Sequence, residues 1–441
     1  MFSKTPDPHA ALKPYAGKVT TAALAISLLR NGDHVFLGTG CAVPRTLVHH
    51  LETMPVPPAD LELLHFLTVK SFDKDAQGIS NTRFRHRTFF VGVDMRHAVG
   101  DGRIEYVPIS IARVPEMMAR GRIAVDVALI QVSLPDAFGY VSLGVSVDII
   151  AAALSVARLV IAEVNPHMPR TMGDTTVHLS RIHHLIAVDY PIAELDRVPA
   201  QAENVQRIAK YIARIIDDGS TLQIGYGGIP DAVVMQLTSK HDLGIHTEMI
   251  GDGIMSLVEA GVVTNRKKNF HPGKMFATFA LGSKKLYQFM HRNPALEMHP
   301  VDFTNDPFLA AKNDNLHAIN ATMQIDFMGQ CGSESLGHKP YSGTGGQSDF
   351  VRAANRSNGG KAFIVLPATA KDDTISRIVP SLSTGTHVST SKNDINYVVT
   401  EFGVAQLRGK TAKQRCEALI GIAHPNFRAE LRETAKKMKF L

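Results

Sequence analysis

Tryptophan is absent from this chain of 441 residues, and cysteine occurs three times. The three cysteines, Cys41, Cys331 and Cys416, lie far apart and show no CxxC spacing, so the sequence indicates neither a disulfide framework nor a structural zinc site. Sparse, unpaired cysteine is typical of proteins in a reducing compartment. We therefore expect a cytoplasmic protein.

Long apolar runs are missing as well. No stretch approaches 18 uninterrupted apolar residues, so we predict no transmembrane helix, and residues 1–19 lack the apolar core of a secretory signal. The net charge of +6 comes from basic residues that are scattered along the chain. Because nucleic-acid binding favours a concentrated basic stripe, we expect neither a nucleic-acid partner nor a membrane partner.

Length and periodicity indicate the fold class. A chain of 441 residues is longer than one core supports, which favours two domains of roughly 200 residues each. Short apolar runs rich in β-branched residues, such as "HVFLG" and "KAFIVLP", alternate with segments of helical periodicity, such as "AENVQRIAKYIARIIDDG". This alternation predicts an α/β protein with mainly parallel sheets that are covered on both faces.

One sequence pattern occurs twice in the chain. The stretch "NGDHVFLGTGCAVPRTLV" recurs as "DGSTLQIGYGGIPDAVV", so that Gly32 matches Gly219 and, after a one-residue deletion, Pro44 matches Pro230. Alternating apolar residues alone could match by chance. A chance match is less probable here because glycines and prolines also occupy equivalent positions in the two stretches. Each copy reads as a strand, a Gly-x-Gly loop and a helix with proline near its first turn.

The repeat predicts two related open α/β domains, residues 1–210 and residues 211–441. A fainter match, of "DLELLHF" with "DLGIHTE", places Phe66 of the first copy opposite Glu248 of the second copy. The first copy therefore lacks the acid that the second copy has. We expect the chemistry to be carried by the C-terminal domain, with the boundary near the polar helical segment that starts close to residue 200.

Two glycine-rich segments are candidates for ligand-binding loops. In "GYGGIPDAV", glycines at a strand end and a helix start let backbone N–H groups approach a ligand, and the helix N-terminus adds partial positive charge. The segment "YSGTGGQSDF" has the same character, although composition alone favours a flexible surface loop. The candidate binding residues are Gly225, Tyr226, Gly227, Gly228, Ile229, Gly345, Gly346 and Gln347.

The segment "GIHTEMIGDG" carries a lone carboxylate, Glu248, where an apolar run meets a glycine-rich turn. Glu248 follows Gly225 by 23 residues. A dinucleotide-binding loop, whose acidic residue stands about 20 residues on, therefore stays open as an alternative. Glu163 also ends a predicted strand, but no glycine cluster stands just before it in the sequence. We rank Glu163 below Glu248 and assign it a structural role.

Basic residues and histidines add weaker candidates. Lys371 lies near a turn, where a basic side chain is placed to meet the phosphates of a ligand. His178, His183 and His184 have a spacing that resembles a metal-binding pair, but no set of carboxylates or cysteines accompanies them. We therefore predict a contact from Lys371 to phosphate and no metal site.

Several long motifs, in the same order along the chain, resemble one family. They are "GYGGIPDAV", "HTEMIGDG", "ALGSKKLYQFMHRNPALEMHPVDFTNDP", "YSGTGGQSDF" and "YVVTEFGVAQLRGKT". Together with "DVALIQVSLPDAFGYVSLGVSVD" in the first half, they are similar to the acetyl-CoA hydrolase/transferase family of class I CoA-transferases. The branch that they resemble most contains the 4-hydroxybutyrate, butyrate and itaconate CoA-transferases.

The resemblance implies two related open α/β domains with the active site at their junction. It implies that Glu248 is the catalytic nucleophile and forms a covalent glutamyl-CoA thioester. By the same likeness, residues 225–230 contact CoA and the acyl group, and residues 345–350 line the other side of the site.

The resemblance also implies the reaction and its partners. The expected enzyme is an acyl-CoA:carboxylate CoA-transferase that uses coenzyme A as cosubstrate, needs no metal, and acts on butyrate, 4-hydroxybutyrate, itaconate or succinate. A homodimer or larger homo-oligomer is implied in the same way. Two alternatives stay open: an acyl-CoA hydrolase on the same scaffold, in which water replaces the second acid, and a non-catalytic CoA-binding protein.

Overall fold

The computed structural model describes residues 6–69, 74–75, 78–79, 83–92, 95–100, 102–195 and 200–441. The chain divides into two compact units. Unit 1 comprises Met1–Asp196 and Phe276–Phe303, and unit 2 comprises Arg197–Met275 and Thr304–Leu441. The two units therefore alternate along the chain, whereas the domains expected from the repeat, residues 1–210 and 211–441, are continuous and stay a prediction.

The main sheet of unit 1 is parallel. Within the described part of the chain it has seven strands, in the spatial order His184–Ala187, Leu159–Val164, Val127–Val132, His34–Leu37, Glu62–His65, Arg85–Thr88 and Glu105–Tyr106. Every neighbouring pair is parallel. The inner strand "VALIQV" is buried along its whole length, as expected for a parallel strand covered on both faces.

The helices of unit 1 are short. They are Pro8–Leu12, Ala22–Ile26, Arg45–Thr53, Arg96–Gly100, Val114–Ala119, Ile150–Val156 and Lys284–Met290, with 3-10 turns at Lys13–Lys18, Ile111–Arg113 and Leu179–Arg181. One core cluster joins the strands to helices Ala22–Ile26 and Arg45–Thr53, whose apolar faces supply Ile26, Leu47 and Leu51. The short helix Val301–Thr304 lies where the chain passes from unit 1 to unit 2.

The main sheet of unit 2 is parallel except at one edge. Its described strands run in the order Gly244–Ile245, Thr221–Ile224, Leu316–Ala321, Lys361–Val365, Tyr397–Thr400 and Gly403–Gln406. The first five are parallel, and the last pairs antiparallel with Tyr397–Thr400 as a hairpin. Both main sheets thus agree with the prediction of an α/β protein with mainly parallel strands.

The described helices of unit 2 range from 4 to 13 residues in length. They are Glu203–Ile215, Gly228–Met235, Asp252–Glu259, Pro307–Ala310, Gln347–Arg356, Ala412–Gly421 and Pro425–Lys437. In the first of these, Val205, Ile208 and Ile212 repeat at helical spacing and are buried, whereas the opposite face is polar. The core of the unit packs Phe350 and Phe327 against the strands.

The remaining described strands are two to three residues long. In unit 1 they are Lys74–Asp75, Gly78–Ile79, Tyr140–Ser142, Met172–Gly173, Thr176–His178, Phe279–Ala280 and Leu296–Met298. In unit 2 they are Met249–Ile250, Gln324–Asp326, Cys331–Gly332, Ser335–Leu336, Lys339–Pro340, Thr369–Ala370, Ile375–Ser376 and Ile378–Val379, and Met275–Ala277 spans the division between the units.

The internal repeat is visible in the backbone. Strands His34–Leu37 and Thr221–Ile224 are equivalent at the shift that was read from the sequence, one in each unit. Just before them, Gly32 and Gly219 both adopt positive φ, at 78° and 75°. Two further equivalent residues, Asp60 and Asp242, do so at 58° and 57°, an uncommon conformation for a residue other than glycine. Equal backbone conformations at matched positions support a duplicated α/β plan.

None of the helices in the described ranges combines the length and apolar character needed to cross a membrane. The same part of the chain holds no group of three or more His, Cys, Asp or Glu side chains arranged to bind a metal ion.

Candidate active site

Glu248 lies on a short connection between strands Gly244–Ile245 and Met249–Ile250. The backbone N–H of His246 donates to the Leu222 carbonyl oxygen at 3.0 Å, which continues the parallel pairing up to the acid. The Thr247 hydroxyl accepts from the Ile224 N–H at 3.1 Å and donates to the carbonyl oxygen of the same residue at 3.2 Å. These contacts hold Glu248 at the carboxyl end of strand Thr221–Ile224, where ligands of open α/β sheets usually bind.

The Glu248 carboxylate is half-buried and contacts a buried amide. Asn305 Nδ2 donates to Glu248 Oε2 at 2.5 Å, and Asn305 is 0% exposed. A carboxylate oxygen can only accept, so this contact fixes which way the Asn305 amide points. The result is a short, charge-assisted hydrogen bond, a class roughly twice as strong as a neutral one.

The second glycine-rich segment meets this same pair of residues. A Cβ placed on Gly346 would overlap the Glu248 carboxylate and come within 2.5 Å of Asn305 Nδ2. Gly346 also precedes the ten-residue helix Gln347–Arg356 as its N-cap residue. Only glycine lets the backbone come this close to both side chains. The structure thus brings together Glu248 and Gly346, two of the residues predicted from the sequence.

Gln347 points its amide into its own unit. Its Nε2 donates to the Ser333 hydroxyl at 3.0 Å and to the Thr390 hydroxyl at 3.1 Å. Gly345, directly before the Gly346 contact, adopts φ of 50°, a conformation that favours glycine. These features shape the loop around Glu248, while a contact from Gln347 to substrate stays a prediction.

The first glycine loop follows strand Thr221–Ile224 directly. The Gly225 N–H donates to the Ile319 carbonyl oxygen at 2.8 Å, and a Cβ at Gly225 would lie 2.8 Å from that oxygen. Gly227 has φ of 145°, which only glycine adopts readily, and the helix Gly228–Met235 starts after it. Tyr226 is 47% exposed on the loop. Because Thr247 bonds the strand residue before Gly225, the loop and Glu248 share one anchor.

The other candidate residues of this loop and of the downstream turn are exposed or half-buried. Gly228 is exposed and Ile229 is half-buried at the start of the helix. Lys371 is exposed on a turn between strands Thr369–Ala370 and Ile375–Ser376. Its predicted contact with a phosphate stays a prediction.

Asn305 lies in the motif segment that ends in "FTNDP", and no role for it is predicted from the sequence. The neighbouring residues explain why. Asp306 caps the helix Pro307–Ala310 by accepting from the backbone N–H groups of Phe308 and Leu309, so "NDP" carries an ordinary helix-start signature. The local sequence around Asn305 therefore indicates a helix start and gives no sign of its contact with Glu248, which is distant in the sequence.

Glu163 belongs to the sheet of unit 1 and is fully buried in strand Leu159–Val164. Its carboxylate accepts from the Leu47 N–H at 2.6 Å, in the first turn of helix Arg45–Thr53, and from the Tyr190 hydroxyl. In the repeat, this helix follows the unit 1 copy of the glycine loop. Burial raises the pKa of Glu163 to about 7, although these hydrogen bonds favour the charged form. The contacts agree with a structural role.

The raised pKa of Glu163 predicts a pH-dependent stability. The unfolded chain releases this proton near the ordinary pKa of 4.5, whereas the folded state holds it up to about pH 7. Stability from this group is therefore greatest below pH 4.5 and is lost as pH rises through about 7. A pKa difference of this size corresponds to about 3 kcal/mol. We expect Glu163→Gln to reduce the fall in unfolding free energy between pH 5 and pH 8 by roughly that amount.

Urea unfolding of the wild type and of Glu163→Gln at both pH values measures this effect. Glu203→Gln is the matched control, because Glu203 is exposed and pairs with Arg207 at the surface. If the unfolding free energy fell by the same amount between pH 5 and pH 8 in the wild type and in Glu163→Gln, the prediction would be contradicted.

The chain matches known proteins over nearly its whole length. Residues 3–209 match the acetyl-CoA hydrolase/transferase N-terminal domain, and residues 282–435 match the C-terminal domain of the same family. The 4-hydroxybutyrate coenzyme A transferase of Clostridium kluyveri is 47% identical over 424 residues, which cover 96% of this chain and 98% of that protein.

Solved structures show the same likeness. The crystal structure of RipA from Yersinia pestis has a TM-score of 0.91 at 35% identity and covers 99% of this chain and 100% of that chain. A 4-hydroxybutyrate CoA-transferase from Porphyromonas gingivalis has a TM-score of 0.81 at 37% identity, with coverage of 97% and 99%. These matches confirm the predicted α/β fold class.

Proposed function

The chain belongs to the acetyl-CoA hydrolase/transferase family, and on that premise we propose that it is an acyl-CoA:carboxylate CoA-transferase with Glu248 as its covalent nucleophile. The observation that carries the proposal is the convergence of the Asn305 amide and the Gly346 backbone on the Glu248 carboxylate. Because the Asn305 donor contacts Oε2, we assign the attack to the other carboxylate oxygen, Oε1.

The reaction starts with one oxygen of Glu248 attacking the thioester carbonyl carbon of an acyl-CoA. The carbon–sulfur bond breaks, CoA leaves as the thiolate, and a mixed anhydride forms. The thiolate then attacks Cδ of Glu248, which releases the first carboxylate and leaves a glutamyl-CoA thioester. A second carboxylate repeats these steps in reverse, so that each acid leaves before the next is converted, and ping-pong kinetics result.

The Asn305 contact suits this chemistry. When Glu248 attacks through Oε1, the oxygen that Asn305 holds, Oε2, becomes the carbonyl oxygen of the anhydride and then of the thioester. Each attack on Cδ places negative charge on this oxygen. A donor already 2.5 Å from it stabilises the oxyanion without further reorganisation.

The substrate class follows the relatives. Proteins named for 4-hydroxybutyrate occur among both the sequence and the structural matches, so we propose short-chain carboxylates, with 4-hydroxybutyrate, butyrate, itaconate and succinate as the acids to compare. Coenzyme A is the cosubstrate, and these reaction steps use no metal. We also propose a cytoplasmic homodimer or larger homo-oligomer, an inference from the cysteine pattern and from the resemblance.

Mass spectrometry tests the nucleophile. The protein is incubated with butyryl-CoA, its intact mass is measured, and peptides are mapped after borohydride reduction. We expect a CoA adduct on the peptide that contains Glu248, and discharge by added carboxylate faster than by water. Faster discharge by water favours the hydrolase. Release of CoA without any adduct would contradict the covalent mechanism.

Asn305→Ala removes the donor to Glu248 Oε2. We expect kcat to fall roughly 10²- to 10³-fold, the loss measured when one oxyanion donor is removed from another enzyme. Asn305→Asp keeps the size but places a second carboxylate beside the first, so we expect a loss at least as large. The measurement is steady-state CoA transfer, with Asn393→Ala, at an exposed asparagine, as control. Activity of Asn305→Ala within about threefold of wild type would show that this donor is not used.

A further inference from the structure

His246 lies two residues before Glu248 and is fully buried. Its Nε2 is 2.8 Å from the Thr304 carbonyl oxygen, and its Nδ1 is 3.0 Å from Asn313 Nδ2. The rings of Phe270 and Phe350 pack beside the imidazole, with centroids at 6.4 and 6.2 Å. Packing alone would be satisfied by an apolar ring at this position, so the use of both ring nitrogens needs a separate reason.

The partners of the imidazole determine its tautomer. A backbone carbonyl oxygen only accepts, so Nε2 carries the proton that is donated to Thr304. Asn313 Nδ2 also donates to the Ala310 carbonyl oxygen at 3.0 Å, which fixes the orientation of the Asn313 amide and makes Nδ1 the acceptor. His246 is therefore held neutral in one orientation, with its donor directed at Thr304.

The Thr304 contact leads directly to the acid. Thr304 precedes Asn305, and the Asn305 amide donates to Glu248 Oε2. Two short segments, His246–Glu248 and Thr304–Asn305, are thus joined at both ends. The hydrogen bond from His246 to Thr304 joins one end, and the hydrogen bond from Asn305 to Glu248 joins the other. Two hydrogen bonds and two short pieces of backbone form a closed ring that limits the distance between the Asn305 amide and the Glu248 carboxylate.

Resting on the proposed function, we propose that His246 is a positioning residue for Glu248. By holding the Thr304 carbonyl, its Nε2–H keeps Asn305 at the oxygen that becomes the oxyanion. Loss of the donor leaves a buried carbonyl oxygen without this partner and lets the Thr304–Asn305 segment move. A displacement of about 1 Å at a reacting group lowers rates by as much as about 10²-fold.

His246→Phe tests the proposal, because it keeps a ring against Phe270 and Phe350 but removes the donor. We expect kcat to fall at least about tenfold while KM changes less than about threefold, since Asn305 acts on the reacting carboxylate rather than on substrate binding. His317→Phe is the matched control, because His317 is also 0% exposed in unit 2 and lies on strand Leu316–Ala321. Equal losses in the two variants would overturn the proposal.

A double-mutant cycle separates positioning from general structural damage. The rate of adduct formation is measured for His246→Phe in the wild-type background and in the Asn305→Ala background. If His246 acts through Asn305, His246→Phe lowers the rate of adduct formation at least about tenfold in the wild-type background. In the Asn305→Ala background the same substitution lowers that rate less than about threefold. Equal losses in both backgrounds would overturn the proposal.

A second pair of variants, His246→Gln and His246→Asn, tests the positioning role of His246 if His246→Phe does not fold. The glutamine amide nitrogen reaches about as far as Nε2 of histidine, whereas the asparagine side chain is one methylene shorter. We expect His246→Gln to keep a kcat at least about tenfold above that of His246→Asn. A ratio near one would overturn the proposal, because the loss would then follow removal of the ring and not of the donor.

The outcome is distinguishable from failure of the proposed function. If wild-type protein forms no adduct at Glu248, the covalent mechanism itself is wrong. If the adduct forms and Glu248→Gln is inactive, but the cycle is additive, the covalent mechanism stands and the role of His246 is wrong.

Discussion

Replacement of Glu248 by glutamine is expected to abolish the CoA adduct and to lower kcat by roughly 10⁴- to 10⁶-fold, the range found when members of a nucleophilic triad are removed from another enzyme. Glutamine has the same shape and can still contact Asn305 and Gly346, so the fold should be unchanged. The amide lacks the second nucleophilic oxygen that attack on the thioester requires. The loss therefore reports on chemistry rather than on packing.

Glu248→Asp refines this test. Aspartate keeps the charge but withdraws the carboxylate by one methylene from Asn305 and from the thioester. We expect a kcat about 10²-fold below wild type, with adduct still detectable after long incubation. Single-turnover CoA release and intact mass measure both variants, and Glu430→Gln, at an exposed glutamate of the same unit, is the control. Near-normal turnover by Glu248→Asp would be difficult to reconcile with a nucleophilic role.

Gly346→Ala is expected to give the second large effect. The backbone of Gly346 has φ of −96°, which alanine adopts without strain, so the change acts through its added methyl group alone. That methyl group would overlap the Glu248 carboxylate and crowd Asn305 Nδ2. One of the two side chains must move, and we expect kcat to fall about 10²-fold with little change in melting temperature.

Gly421→Ala is the matched control for Gly346→Ala. Gly421 ends helix Ala412–Gly421, and an added Cβ there meets no atom within 4 Å. We expect unchanged kcat and a slightly higher melting temperature, because alanine is the better helix former by about 1 kcal/mol. Full activity in Gly346→Ala would mean that Glu248 adopts its reactive position away from this loop.

Much of the fold could be predicted from the sequence because it rests on short-range patterns. The parallel sheets follow from short apolar strands that alternate with helical periodicity, as in "TLQIG", which ends at Gly225. The duplicated plan followed from glycines in phase, and the equal φ angles at Gly32 and Gly219 show why glycine occupies both positions. Gly227, at φ of 145°, is a further position that the backbone reserves for glycine.

The extent of the compact units is a long-range property. Residues Phe276–Phe303 belong to unit 1 although unit 2 precedes and follows them in the sequence. The assignment of this segment depends on which strands and helices it packs against, and periodicity within the segment carries no information about those partners.

The sequence by itself determined the parallel α/β architecture, the duplicated glycine loops and the choice of Glu248 as the candidate acid, because each depends on residue types within one short stretch. The tertiary structure decided which groups surround that acid. Asn305 lies 57 residues beyond Glu248 and has the local signature of a helix start, and Gln347 directs its donor at Ser333 and Thr390. Contacts of this kind arise only when distant segments pack together, because neither partner alters the sequence pattern around the other.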